Sequence, residues 1–282
     1  MTNAKILFDD ICQNISSYYP LQEAKAIAFL VLEKKLGLSR TDVLIGRAIE
    51  RLPNDWENLQ SQLKAQVPVQ YVLGEADFYG LRFMVGQDVL IPRNETEELV
   101  DLVIQYSKTE GGKHHILDIG TGSGCVAITL AKNLPTSSVW AYDISEKALA
   151  IAQQNATFNN VAVVFEQKDI LKFQTQTQAF DIVVSNPPYV TLAEKALMQA
   201  HVLDHEPHLA LFVNNDQALI FYEAIADFCT ENLRINGRFF VEINEAFGQE
   251  TAQVFIERGF ENVRIIKDIH AKDRIVCGER RR

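Results

Sequence analysis

No apolar run in this 282-residue chain approaches the roughly 20 residues needed to cross a bilayer. The N-terminus turns acidic at Asp9-Asp10 before a signal-peptide core can form. A cytoplasmic protein with no membrane partner is therefore expected. Cysteine is scarce: Cys12, Cys125, Cys229 and Cys277 stand far apart, without a C-x-x-C pair or a histidine at ligand spacing. That pattern reads as buried free thiols in a reducing compartment and offers no metal site. An excess of positive charge is lacking too. Lysine and arginine number 27 against 37 acidic residues, a net charge of −10, with a sequence pI of about 5.1. The electrostatic footprint behind most non-specific nucleic-acid affinity is missing, which disfavours nucleic acid as the substrate. The one compact basic cluster, Arg280-Arg281-Arg282, reads as a solvated tail. Internal repeats and low-complexity stretches are absent as well.

What is present is a globular composition, 47% hydrophobic and 23% charged, long enough for a larger and a smaller domain. Leu21, Ala24, Ile27, Ala28 and Val31 recur at helical spacing before Gly37, a stop signal. Thr41-Asp42 is expected to cap a further helix through Val43, Leu44 and Ala48, closed by Pro53. Residues 1–75 thus read as a small helical domain for substrate recognition. Between 76 and 92 the alternation of Leu81, Phe83 and Val85 with Arg82 and Met84 predicts a β-hairpin linking two domains. Asn94 to Glu97 makes a capping-box-like start for a helix.

From residue 93 to 282 strands and helices alternate. Strands are expected at 116–119, 139–143, 161–165, 180–184, 237–243, 263–266 and 274–277, the last two antiparallel. Helices are expected at 123–134, after the Ser145 cap, and at 217–233 and 249–257. Such βαβ alternation implies an α/β fold with a mostly parallel sheet covered on both faces.

Two motifs carry chemistry. Asp118-Ile119-Gly120-Thr121-Gly122-Ser123-Gly124 follows a strand and opens a helix, where glycines permit a tight turn and close approach of a ligand. Its G-x-G-x-G spacing is not the G-x-G-x-x-G of a pyrophosphate cradle, which speaks against a nicotinamide dehydrogenase. About 20 residues on, Asp143 ends the next strand, placed either to accept from ribose hydroxyls or to cap the following helix. The pair together favours a nucleoside-containing cofactor. Asp169 reads either as a neighbour of an adenine base or as a surface acid.

Asn186-Pro187-Pro188-Tyr189 follows the fourth strand at the sheet's carboxyl edge, where open α/β folds bind ligands. A planar NH2 group is a poor nucleophile because its lone pair is delocalised. The Asn186 side-chain carbonyl and the Pro187 carbonyl can each accept one of its hydrogens and favour the pyramidal geometry that localises the lone pair. Two prolines add no competing N–H and stiffen the loop, while Tyr189 offers a face to a planar group. Alone, the tetrapeptide could equally be a rigid loop starter; after a cofactor loop it reads as a clamp for an amino nitrogen. An idle cofactor-binding scaffold would not need that clamp.

The glycine loop resembles that of class I S-adenosylmethionine-dependent methyltransferases, whose sheet is Rossmann-like. The Asn-Pro-Pro-Tyr motif resembles those of the N6-adenine and the protein-glutamine N5 enzymes. Pro68-Val-Gln-Tyr-Val-Leu-Gly-Glu75, Phe78-Tyr79-Gly80, Val89 to Glu97 and His205-Glu206-Pro207-His208 narrow the choice. With them, almost the whole chain resembles the peptide chain release factor glutamine N5-methyltransferase family. The resemblance implies S-adenosylmethionine as methyl donor, S-adenosylhomocysteine as product, and peptide chain release factors as partners, methylated on the glutamine of a Gly-Gly-Gln motif. It places Gly120, Thr121, Gly122, Ser123, Gly124, Asp143, Ile170 and Asn186 at the cofactor. Asn186, Pro187, Pro188 and Tyr189 fall at the glutamine, with Asn186, Pro187 and Tyr189 catalytic and no metal. Ile170 stands where some relatives place an aromatic residue, which leaves open whether it packs on the adenine as an aliphatic substitute for stacking. Arg93 and Glu206 lie in family-like motifs and are assigned no catalytic role. The rival acceptors are ribosomal protein L3, through its glutamine, and adenine in DNA or RNA.

Overall fold

A computed structural model of the chain describes residues 2–173, 179–198 and 200–281. The chain divides into two compact units, Met1–Glu75 with Gln199–His205, and Ala76–Met198 with Glu206–Arg282. Among the described residues no helix is long and apolar enough to cross a membrane.

The first unit is helical because its apolar residues recur every three or four positions. Helix α1 (Ala4–Ile15) buries Ala4, Leu7, Ile11 and Ile15, and its first turn is capped by Asn3, whose side chain accepts from the Ile6 N–H. Helix α2 (Leu21–Leu36) buries Ala24, Ile27, Ala28, Val31 and Leu32. It stops at Gly37, whose φ of 64° lets the chain turn back on the last carbonyls. The next helix departs from expectation. Helix α3 (Arg40–Leu44) is capped by Ser39, with Asp42 completing a reciprocal capping box. It ends before Ala48 because Gly46, at φ 64°, redirects the chain. Thr2–Asn3 (β1) and Ala48–Ile49 (β2) then pair antiparallel. Helices α4 (Trp56–Lys64) and α5 (Val69–Leu73) follow, and Trp56, Leu59 and Leu63 join the same apolar core.

Strands β3 (Glu75–Phe78) and β4 (Leu81–Met84) form the expected hairpin. Its two-residue turn puts Tyr79 at φ 48° and Gly80 at φ 72°, the doubly left-handed geometry that matches strand twist. The hairpin is fastened within the second unit. Asn155 accepts from the Met84 N–H at 2.6 Å and donates to the Met84 carbonyl at 2.9 Å, while Asn159 donates to the Arg82 carbonyl.

Helix α6 (Asn94–Glu110) starts without a side-chain cap. Its expected capping groups turn to tertiary partners: Glu97 accepts from the Tyr79 N–H, and Thr96 donates elsewhere. Thereafter β5 (His115–Ile119), α7 (Cys125–Asn133), β6 (Ser138–Asp143), α8 (Glu146–Phe158), β7 (Val164–Gln167) and β8 (Phe180–Ser185) follow in order. The third expected strand begins late, at Val164, because the Val161 N–H is still held by the Ala156 carbonyl of α8 and Asn160 sits at φ 55°. Short strands β9 (Val190–Thr191) and β10 (Phe212–Val213) pair parallel; between them in sequence comes helix α9 (Ala200–His205). Helix α10 (Ile220–Asn232), β11 (Leu233–Glu242), α11 (Gly248–Glu257), β12 (Phe260–Lys267) and β13 (Asp273–Arg280) complete the chain.

Seven strands form one sheet in the order β12-β13-β11-β8-β5-β6-β7. The five from β11 to β7 run parallel, and β13 opposes both β11 and β12. Alternate strand residues feed opposite cores. Ile116, Ile182, Val184 and Phe240 meet Leu99, Val100 and Val103 of α6 with Val126, Ala127 and Ile128 of α7. Leu117, Val183, Phe239 and Val241 meet Ile225, Ala226 and Phe228 of α10 with Phe255 of α11. Each fully buried Val, Leu, Ile or Phe among them contributes about 1.5–3 kcal/mol, so the two-face pattern fixes the layering. The solvated-tail reading fails at Arg280, Arg281 is exposed but ion-paired, and Arg282 lies outside the described residues. Arg280 ends β13 and donates to the Leu233 carbonyl, and Arg281 pairs with Glu279. Of the four free thiols only those of Cys229 and Cys277 are buried; Cys12 and Cys125 are half-buried.

Candidate active site

Register assembles the site. Ile119 of β5 faces both Tyr142 of β6 and Ser185 of β8, and Ser185 faces Val241 of β11. One residue beyond that row, at the carboxyl edge, stand Gly120, Asp143, Asn186 and Glu242. The first three were expected from sequence; Glu242 was not.

The loop after β5 is held mainly by backbone. Both the Gly120 and Thr121 N–H groups donate to the Tyr142 carbonyl, at 2.8 and 3.0 Å. Gly120, Gly122 and Gly124 lie at φ 75°, 54° and 82°, a region other residues enter at a cost. A Cβ at Gly120 or Gly122 would meet nothing within 4 Å, whereas one at Gly124 would come to 2.8 Å of Ile128 Cδ1 and 3.1 Å of Ala152 Cβ. Two glycines thus leave the loop open on its outer side, and the third lets α7 approach α8.

Two carboxyls support this loop. Asp143 Oδ2 accepts from the Gly122 N–H and Oδ1 from the Ser145 N–H, each at 2.8 Å. Ser145 in turn caps α8. Asp143 therefore anchors the loop, with the Ile144 N–H as a third donor to a carboxylate that has about four acceptor sites. Burial raises its pKa, against the lowering effect of those N–H donors. Asp118, buried beneath, accepts from Thr121 Oγ1 at 2.7 Å; burial pushes its carboxyl up to about 7. The segment after β7 joins here through the Lys168 N–H, which donates to the Asp143 carbonyl. Asp169 caps the following turn by accepting from the Leu171 N–H, and Ile170 packs half-buried on the core face that includes Tyr142.

Asn186 to Tyr189 leaves β8 with Pro187 buried and the other three residues half-buried. Its support comes from far away in sequence. Asn186 Nδ2 donates to Thr96 Oγ1 at 3.0 Å, Thr96 Oγ1 donates to Glu242 Oε2 at 2.7 Å, and Tyr189 Oη donates to Glu242 Oε1 at 3.0 Å. Asn244 donates to the Tyr189 carbonyl and to Glu194. Among the described residues no donor reaches Asn186 Oδ1 or the Pro187 carbonyl. Glu242 is 1% exposed; burial raises its pKa, while Thr96, Tyr189 and the Arg274 charge pull it down. Burial, with the Glu242 charge, carries the Tyr189 phenol far above its ordinary range, so it stays protonated. Arg93 and Glu206 form an ion pair at 2.7 Å with the Glu206 side chain 1% exposed. Glu206 also accepts weakly from the Ile91 N–H, a structural tie between two loops.

Thr96 and Glu242 escaped the sequence reading. Glu242 lies in an apolar strand, where a lone acid is a visible oddity, but nothing in sequence says what it meets. Thr96 read as part of a helix start.

Comparisons with known proteins show a family and a fold. The family model described as "Methyltransferase small domain" matches residues 100–213. A release factor glutamine methyltransferase of Flavobacterium psychrophilum is 45% identical over 270 residues, 94% of each chain. Another, of Bacteroides thetaiotaomicron, is 44% identical over 274 residues, 96% of this chain and 98% of its own. Among solved structures, the T. thermophilus 16S rRNA N2 G1207 methyltransferase, in complex with AdoMet and guanosine, superposes with a TM-score of 0.53. At 18% identity, covering 73% of this chain and 50% of that one, it shares the fold.

Proposed function

The chain belongs to the release factor glutamine methyltransferase family, and from that premise we propose that it methylates peptide chain release factors. The acceptor is N5, the side-chain amide nitrogen, of the glutamine in their Gly-Gly-Gln motif. One observation carries the assignment of the site. Asn186 Oδ1 and the Pro187 carbonyl, both without a donor among the described residues, stand at the strand level where the glycine loop begins.

The loop suits an adenosyl group on its own geometry. Gly120 and Gly122 leave open space where a Cβ would stand, and Asp143, with three N–H donors on about four acceptor sites, retains room for a further donor. Gly120 to Gly124, Asp143 and Ile170 would hold the methionine and adenosine parts, with Asn186 at the boundary with the acceptor. S-Adenosylmethionine supplies a methyl group activated by its sulfonium and is released as neutral S-adenosylhomocysteine.

The protein's part is to prepare the nitrogen. Asn186 Oδ1 and the Pro187 carbonyl accept its two hydrogens, aim it and favour a pyramidal geometry that localises the lone pair. The Tyr189 ring packs against the planar amide, its hydroxyl occupied by Glu242 and unable to act as a base. Bound there, the cofactor would supply its methyl to the nitrogen so held, the carbon–sulfur bond breaking as the nitrogen–carbon bond forms and the surplus proton leaving to solvent. A glutamine flanked by two glycines can thread a narrow crevice. To residues 1–75 we assign recognition of the release factor body.

Purified release factor, ribosomal protein L3 and adenine-containing DNA, offered in parallel with labelled S-adenosylmethionine, test the reading. Label on the release factor glutamine, mapped by mass spectrometry, is expected. Label chiefly on L3 or DNA with the release factor unmodified overturns it.

A further inference from the structure

The chain Asn186–Thr96–Glu242–Tyr189 ties both ends of the tetrapeptide to one buried carboxylate. We propose that Thr96 and Glu242 are positioning residues for methyl transfer, fixing which end of the Asn186 amide faces the acceptor and where the Tyr189 ring stands. The inference rests on the function proposed above, and it follows from counting protons. A carboxylate only accepts, and here it accepts from two hydroxyls, each of which has a single hydrogen. With its hydrogen committed to Glu242 Oε2, Thr96 Oγ1 has only lone pairs left for Asn186. The Asn186 amide must therefore present its NH2 to Thr96, which turns Oδ1 the other way, toward the position the clamp requires. Were the amide reversed, two acceptors would face each other at 3.0 Å and an NH2 would repel the incoming NH2.

Tyr189 is governed by the same group. Its hydroxyl donates to Glu242 Oε1, which pins the far end of the ring while Asn244 holds its carbonyl. The side chain chosen must accept at both ends, and a carboxylate does so; a glutamine would offer an NH2 to one hydroxyl. Of the surrounding charges, the Arg274 cation and the opposing Glu95 carboxylate act on Glu242, and Arg274 is itself paired with Asp268 at 3.1 Å. The carboxylate is thus screened without its two acceptor positions being taken.

The variants Thr96→Val, Thr96→Ser and Glu242→Gln test this, with two readouts. In 15N-labelled protein the Asn186 NH2 signal is identified by its loss in Asn186→Ala. In Thr96→Val that signal is expected to move and exchange faster, and in Thr96→Ser to return toward its original place. Kinetically, Thr96→Val and Glu242→Gln should lower kcat roughly 10- to 100-fold, the scale of a slightly misplaced reacting group. S-Adenosylmethionine Kd and release factor KM should stay near parent values, a split that loss of folding would not produce. Thr96→Ser should recover most of what Thr96→Val loses. An unmoved Asn186 signal in folded Thr96→Val, or kcat at the parent level, overturns the proposal. So does a Thr96→Ser variant as poor as Thr96→Val. If Thr96→Val does not fold, the same two readouts on Glu242→Gln decide. A parent protein that labels no release factor overturns the assigned function instead, and the Asn186 signal still decides the positioning.

Discussion

The two halves of the active site are built by opposite means. The glycine loop is held by its own backbone and by Asp143, which ends the neighbouring strand; its bonds run between β5, β6 and the turns that leave them. The Asn186–Tyr189 turn is held by side chains instead, Glu242 at the end of the adjacent strand β11 and Thr96 on α6. Side chains 90 and 53 positions distant hold it, and the link between those side chains spans 146. A loop that must fit a ligand's backbone-facing edge can use peptide groups. A clamp that must present acceptors in one orientation needs side chains whose protons are already committed elsewhere.

The comparison breaks most visibly at Asn186. Asn186→Ala removes a preorganised acceptor and should lower kcat roughly 100- to 1,000-fold, by analogy with lost oxyanion-hole donors. Cofactor affinity should change little, because the glycine loop is supported independently. Single-turnover rates beside calorimetric Kd values check both halves of the statement, and a rate near the parent's would remove the clamp from the mechanism.

Asp143→Ala strikes the other half. Lost charge-assisted hydrogen bonds to the cofactor should weaken binding by about 1.5–3 kcal/mol. The Gly122 and Ser145 N–H groups lose their acceptor as well, so the melting temperature should also fall, an effect sequence alone did not foresee. Calorimetry showing parent-like affinity in folded protein would leave Asp143 a purely structural anchor.

Two glycines in one loop sharpen the contrast further. Gly122→Ala and Gly124→Ala both incur left-handed strain, but only the latter drives a methyl into Ile128 and Ala152. Gly124→Ala should therefore be less stable than Gly122→Ala by about 1–3 kcal/mol in denaturant titrations, the range for overpacking. Gly122→Ala should instead lose cofactor affinity. Equal stabilities would mean that α7 and α8 adjust freely.

The smallest effect is a pH slope from Asp118. Its folded-state carboxyl sits up at about 7, above the unfolded value near 4, so the protonated form favours the fold. That stability is complete below pH about 4 and is lost as pH rises toward 7. Asp118→Asn should flatten the dependence by about 1 kcal/mol per pH unit between pH 5 and 6.5, read as the difference between parent and variant unfolding free energies. Parallel curves would show that Asp118 does not titrate there.

Much of this was legible in the chain itself. Short apolar runs bounded by glycine, aspartate and asparagine specify the strands and the carboxyl-edge turns, because backbone geometry and burial act over a few residues. The Gly120–Gly124 loop, Asp143 and Asn186–Tyr189 could be read for the same reason: each motif states its own backbone requirement. The helix starting at Asn94 lies where it was expected, but its capping box does not form, because the capping groups serve Glu242 and the Tyr79 N–H. Only the folded sheet, by bringing β11 beside β8 in register, could set Glu242 level with Asn186 and commit Thr96's single proton. No local pattern encodes that meeting, because a hydrogen bond depends on where two groups end up in space and not on how far apart they stand in sequence.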